Sequence, residues 1–374
     1  LKQWYGSDYL ITIDHEHKMI FASNVDTETL NELKKDLPAR ADAMVKQLFT
    51  FPFEQYVTVI IPSAKTVKPS HISGFYSLGR HMAVARGVGW PVRHEFTHAV
   101  HLGDCEARSQ SNHALWVKEG LATLFERSRF TDGKLVSLPG YRINQLKGYL
   151  KNMNVFNLST FVRLDQKTAM KNAGPYYAMA RNLMRYLEET GKLKTFYDTY
   201  VKYYSRDRSG RHALEQTVGK NIMAFEKDFH AWIRKQAWFA LASKAYLGLG
   251  VEAKPEGLAV TKLDPKSPAA KEGIMLGDLL VNFNSERLAD AMDIISALNT
   301  CKPNDKITIR LRRGDKYLKV SITLSTRDES NPKVKPSTTP KLIELVMAKV
   351  VTPRQKTPVS GVELMPRQVI RSTV

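Results

Sequence analysis

The chain has 374 residues, 43% of them hydrophobic and 25% charged, enough apolar material for ordinary buried cores in two or three domains and too much for a disordered protein. The formal net charge of +19 favours contact with anionic surfaces, whether cell-envelope polymers, acidic polypeptides or nucleic acid, without choosing among them. Cys105 and Cys301 fall in different expected domains, which argues against a disulfide framework, and no apolar run reaches membrane-spanning length.

In chain order, residues 9–13 and 19–23 read as paired strands, a helix follows from about 26 to 49, and 57–61 reads as a buried strand. Residues 72–77 and 81–85 read as a hairpin. Pro91 suits a first helical turn and Gly103 follows the last apolar residue as a stop, so a helix is expected over 91–102. Within it, His94-Glu95-Phe96-Thr97-His98 puts two imidazoles at i and i+4, on one helix face, where both can reach one metal ion. Glu95 lies one step around the helix, beside the ion, where a carboxylate can take a proton from water.

This string is short enough to arise by chance; a second motif downstream narrows the reading. Trp116-Val117-Lys118-Glu119-Gly120-Leu121-Ala122 opens a second helical stretch that runs to Phe125. A helix returning there can deliver Glu119 to a third ligand position and leave a fourth open, the pattern of a catalytic rather than a structural Zn2+ ion.

The pairing of the two motifs resembles the gluzincin metallopeptidases, the group that contains thermolysin and the membrane-alanyl-aminopeptidase-like enzymes. The resemblance implies that His94, His98 and Glu119 bind one zinc ion and that Glu95 activates water. Many gluzincins carry an Asp four residues after the ligand Glu to orient a ligand His; Thr123 stands there, and either it or Glu126 would take that part. Metzincins place their third ligand six residues after the second His, which makes Asp104 a rival ligand or else a residue supporting the others, although they need Gly where His101 stands. In gluzincins a Tyr or His from a later helix donates to the oxyanion; the segment 175–181 opens such a helix, with Tyr177 the first candidate and Tyr176 the second. The group also binds extended peptides along a strand edge beside the metal helix, a part expected here of the hairpin bearing Gly74 and Tyr76. No Gly-x-Met-Glu-Asn segment is present, which favours an endopeptidase over an aminopeptidase.

Residues 155–246 read as helical. Beyond them, Leu247-Gly248-Leu249-Gly250-Val251, a short helix at 289–298 and a hairpin turned at Gly314-Asp315 resemble a PDZ domain of the bacterial protease type. That resemblance implies a peptide groove lined by Leu249, Gly250 and Val251, with Ile294 and Leu298 as pocket residues.

The expected fold is α+β: a zincin-like domain made of an α+β half (1–154) and a helical subdomain (155–246), a PDZ β-sandwich or barrel (247–326), and an extended tail rich in Pro and Lys (327–374). The chain begins at Leu1 rather than Met, which points to a processed, periplasmic or secreted product. The expected function is zinc-dependent hydrolysis of a polypeptide substrate, with the PDZ domain recognising a peptide or protein ligand. The alternatives are a PDZ-bearing binding protein with a catalytically silent zincin domain, and a nucleic-acid-associated factor, for which no specific motif is found.

Overall fold

The computed structural model describes residues 9–62, 73–110, 113–152, 156–240 and 243–326. The first sheet contains β1 (Leu10–Asp14), β2 (Met19–Ser23), β3 (Val57–Ile61), β4 (Gly74–Ser77) and β5 (Met82–Ala85), in the order β1-β2-β3-β5-β4. The inner strands β2, β3 and β5 are parallel, while β1 and β4 pair antiparallel at the two edges. Met19, Phe21, Val57, Val59 and Ile61 face the main core, and Ala22 and Ile60 a smaller cluster on the opposite face, so both faces of the central strands are covered. Helix α1 (Thr27–Gln47) connects β2 to β3; the Asp26 carboxylate accepts the Thr29 amide at 2.9 Å and caps its first turn.

Helix α2 spans Trp90–Ala107 and α3 spans Leu115–Phe125. Gly103 does not end α2 as expected. It lies inside the helix, which runs on to Ala107, and Asp104 and Cys105 carry the buried face one turn further. A hairpin not foreseen in the sequence, β6 (Ser128–Thr131) and β7 (Lys134–Ser137), turns on Asp132 and Gly133, both with positive φ.

Helices α4 (Arg142–Lys151), α5 (Leu158–Phe161), α6 (Gln166–Lys171), α7 (Ala173–Glu189), α8 (Leu193–Tyr203), α9 (Arg211–Val218) and α10 (Ile222–Lys235) complete this part. One apolar core runs from Met19 through Phe96, Trp116 and Tyr176 to Phe225 and Ile233. The sheet-bearing and helical regions therefore share a single interior.

The C-terminal module has its own core around Leu258, Leu280, Ile309 and Ile322. Strands β8 (Ala245–Tyr246), β9 (Leu249–Lys254), β10 (Gly257–Leu263), β11 (Leu279–Phe283), β12 (Glu286–Arg287), β13 (Lys306–Arg313), β14 (Lys316–Thr323) and β15 (Ser325–Thr326) are joined by α11 (Pro268–Lys271) and α12 (Ala291–Asn299). The main path is β14-β13-β11-β10-β9, antiparallel throughout, which leaves β9 at an edge. The structure is thus a mixed α+β assembly with a β module at its C-terminal end. Residue 72, the 154/155 boundary and the tail 327–374 lie outside the described residues. Both cysteines are free, and no helix among the described residues is long and apolar enough to cross a membrane.

The seam between the module and the rest is polar. Arg310 pairs with Glu28 and Glu32, Arg287 with Glu32 at 2.6 Å, and the Tyr317 hydroxyl donates to Asp26 at 2.7 Å. Arg127, in the turn after α3, pairs with both Asp290 and Asp293 at the start of α12. Arg287 also donates to the Glu256 carbonyl at 2.7 Å and is largely buried, whereas Glu32 is more exposed. Arg287→Ala is therefore expected to lower the stability of the chain by about 1–3 kcal/mol, read from urea unfolding, since a buried acceptor loses its donor while the ion pair itself is partly screened.

Candidate metal centre

His94, His98 and Glu119 meet between α2 and α3, with one ligand atom from each within 4.8 Å of the others. The i, i+4 spacing on α2 stacks the imidazoles with ring centroids 4.9 Å apart and planes nearly perpendicular. Glu119 reaches them from α3: its Oε2 lies 3.4 Å from His94 Nε2 and 3.7 Å from His98 Nε2. Neither approach has hydrogen-bond geometry, so this buried oxygen makes no hydrogen bond. Ligands held about 2.0–2.2 Å from one tetrahedral ion stand roughly 3.3–3.6 Å from each other. The Glu119 oxygen stands near these separations from both imidazole nitrogens, a donor set that could hold a zinc-type divalent ion.

The surroundings orient this set. The Glu126 carboxylate lies 2.8 Å from His94 Nδ1, an interaction that puts the ring proton on Nδ1 and leaves Nε2 to face Glu119. Glu126 is itself buried, with Arg142 Nη2 3.8 Å from its other oxygen. Burial works against ionising Glu119, but the His98 and His94 rings outweigh it and hold the carboxyl well below its ordinary value. Burial pushes Glu95 the other way, above the usual carboxylate range, with His94 and His98 only partly offsetting it.

Glu95 is 7% exposed and lies against the edge strand β4. A Cβ on Gly74 would come within 2.7 Å of Glu95 Cγ and 2.6 Å of the Val84 carbonyl oxygen, so only glycine lets strand and carboxylate approach this closely. Tyr76, on the same strand, lines a separate cavity of about 150 Å³ with Phe53, His81, Ala99 and Glu106, apart from the ligand cluster. Tyr177 stands at the site: burial and the Glu119 carboxylate push its phenol well above the ordinary value, and the Arg142 guanidinium lies 5.4 Å from its ring centre. Tyr176 instead packs into the core against Phe161, its hydroxyl without a hydrogen bond.

Two expected supporting residues lie elsewhere. The Thr123 hydroxyl donates back to the Glu119 carbonyl at 2.7 Å within its own helix, and Glu126 holds His94 instead, because one further turn of α3 is needed to bring an oxygen level with that ring. Asp104 accepts the Thr50 and Phe51 amides at 2.9 and 3.0 Å, the Arg108 guanidinium and the Tyr197 hydroxyl at 2.8 Å. It anchors the chain after α1 and is neither a ligand of the cluster nor a support for one.

In the C-terminal module, Leu249, Gly250 and Val251 lie on edge strand β9, and Ile294 and Leu298 project from the neighbouring α12 into the core that Leu249 and Val251 also contact. Gly248, which precedes them with φ +82°, would place a Cβ 2.0 Å from that of Ser267, so this loop admits only glycine.

Residues 245–324 match the PDZ domain family. The chain is 32% identical over 69 residues to the serine endoprotease DegS of Haemophilus influenzae, covering 18% of this chain and 20% of that protein. It is also 32% identical over 75 residues to the periplasmic pH-dependent serine endoprotease DegQ of Escherichia coli, 20% of this chain and 16% of that one. The chain thus spans about a fifth of the length of these curated relatives. Among solved structures, the HtrA3 PDZ domain bound to a phage-derived ligand aligns at 26% identity and TM-score 0.21, covering 22% of this chain and 88% of that one. An aminopeptidase N family protein from Idiomarina loihiensis aligns over 86% of this chain and 67% of its own, at 14% identity and TM-score 0.35. The C-terminal module is a PDZ domain, a fold that recognises peptides.

Should His94, His98 and Glu119 hold zinc, Glu126→Gln is expected to weaken its affinity about 10–100-fold in a chelator-competition titration and Thr123→Val to leave it unchanged.

Proposed function

We propose that this chain is a zinc-dependent endopeptidase of the gluzincin type, whose PDZ domain engages a peptide or protein ligand. The observation that carries the reading is the buried Glu119 oxygen, without a hydrogen bond and facing His94 and His98, with a second carboxylate, Glu95, held beside the same face. His94, His98 and Glu119 would hold the ion. Zinc in such a site supplies Lewis acidity toward a peptide carbonyl and toward water.

The remaining steps fall to the chain's own groups. Glu95, made more basic by burial, accepts the proton of the attacking water and returns it to the leaving amine. Tyr177, kept protonated by burial and by the neighbouring Glu119, donates to the oxyanion that develops on the carbonyl. An extended substrate adds to β4, the edge strand among the described residues, by main-chain hydrogen bonds, and Gly74 leaves room for its scissile bond to approach Glu95. The edge position of β9 supports a parallel role for the PDZ groove, with Leu249, Gly250 and Val251 pairing with a peptide and Ile294 and Leu298 shaping its pocket. The relatives of the PDZ domain include a periplasmic protease, which favours a periplasmic or secreted setting, and the +19 charge favours anionic surfaces there.

Cleavage of a mixed peptide library with and without a chelator tests the proposal. Cleavage is expected to stop on chelation and return with zinc; Glu95→Gln is expected to abolish it while the protein still binds zinc. Tyr177→Phe is expected to lower kcat by about 10²–10³-fold with little change in KM. Cleavage that survives both the chelator and Glu95→Gln, or a wild-type protein that binds zinc and cleaves nothing, refutes the hydrolase reading; the second result leaves a binding protein.

A further inference from the structure

A second group of ligand-type side chains lies in the same interior and shares no residue with the first. His101 and Cys105 project from α2, one turn apart, and His113 comes from the segment leading into α3. All three are buried, with 0–1% exposure, and one donor atom from each lies within 4.8 Å of the others. His113 Nδ1 is 3.0 Å from His101 Nε2 and 3.3 Å from Cys105 Sγ.

Hydrogen bonding alone does not account for this arrangement. The Gln110 side-chain amide donates to the Val201 carbonyl at 2.7 Å, so its oxygen faces His113 Nε2 at 3.2 Å and fixes the ring proton on Nε2. His113 Nδ1 therefore presents a single lone pair to two groups, the His101 ring and the Cys105 thiol, and only one of them can donate to it. His101 Nδ1, on the far side of its ring, is buried without a partner, and the buried Tyr204 hydroxyl, whose ring centre is 5.0 Å from that of His113, makes no hydrogen bond either. Gln110 acts on His113 as a partner of a metal-bound imidazole does, by holding its second nitrogen.

We propose that His101, Cys105 and His113 form a second, three-ligand site for a zinc-type divalent cation. The ion takes the lone pairs of His113 Nδ1 and His101 Nε2 and a thiolate from Cys105. The thiol proton goes to solvent, and the His101 proton sits on Nδ1. The ion joins α2 to the segment that leads into α3, and so steadies the path from His98 to Glu119. The mixed imidazole and thiolate set suits zinc or cobalt and not magnesium or calcium.

The two sites differ in chemistry, because only this one contains sulfur, and that makes the test selective. Untagged, metal-free full chain is titrated with Co2+ alone while metal equivalents and near-ultraviolet absorption are recorded. The expected result is a thiolate-to-cobalt charge-transfer band that persists in His94→Ala and Cys301→Ser and is lost in Cys105→Ser and His113→Ala. Wild type is expected to bind one equivalent more than Cys105→Ser. Absence of the band from wild type, its loss in His94→Ala, or its survival in Cys105→Ser overturns the proposal. Should Cys105→Ser fail to fold, the band in His94→Ala and Cys301→Ser still decides the question. A band with one equivalent in total supports this site and counts against the His94, His98 and Glu119 centre, whereas one equivalent without a band does the reverse.

Discussion

An oxygen of Glu119 sits inside the protein with two imidazole nitrogens in front of it and no hydrogen bond. Leaving a buried polar atom unmatched costs about 1–3 kcal/mol, more for a charged group, and folds rarely keep such an atom without a use for it. Much around it is arranged to hold that oxygen in place. Helix α3 is buried along most of its length, Gly120 lets it close on α7, where a Cβ would meet Met184 at 2.8 Å, and the next turn brings Glu126 behind His94. The sheet approaches from the other side, where Gly74 lets β4 lie against Glu95. Helices and sheet share one interior, so the ligand cluster and the core are one packing problem.

The legible parts of the sequence are those with a strict period or a required residue type. The i, i+4 spacing of His94 and His98 admits one geometry on a helix, and Gly314 marks the β13–β14 hairpin without reference to any contact. The β6–β7 hairpin carries an equally local signal in its Asp-Gly turn at 132–133. Gly103 misleads because a glycine inside a helix costs only about 1 kcal/mol, and the buried face that Asp104 and Cys105 continue carries the helix past it.

Other features depend on long-range contacts that no local pattern carries. Thr123 occupies the position to which the gluzincin resemblance points, yet a threonine mid-helix readily turns its hydroxyl to the carbonyl four residues back, as it does here. Asp104 has the right spacing for a ligand, but Arg108 and Tyr197 together with two amides claim its oxygens. The approach of His113 to His101 and Cys105 requires the segment between α2 and α3 to fold back on the helix, and sequence spacing is silent on that.

The seam between the PDZ domain and the rest is made largely of arginines facing carboxylates, with Asp26, Glu28 and Glu32 on one side and Arg287, Arg310 and Arg312 on the other. Apolar interfaces tighten in strong electrolyte, whereas charge pairs at a partly wetted boundary lose strength as mobile ions crowd in, over a screening length of about 8 Å at physiological concentrations. The cohesion of the two halves is thus tied to the medium that bathes them.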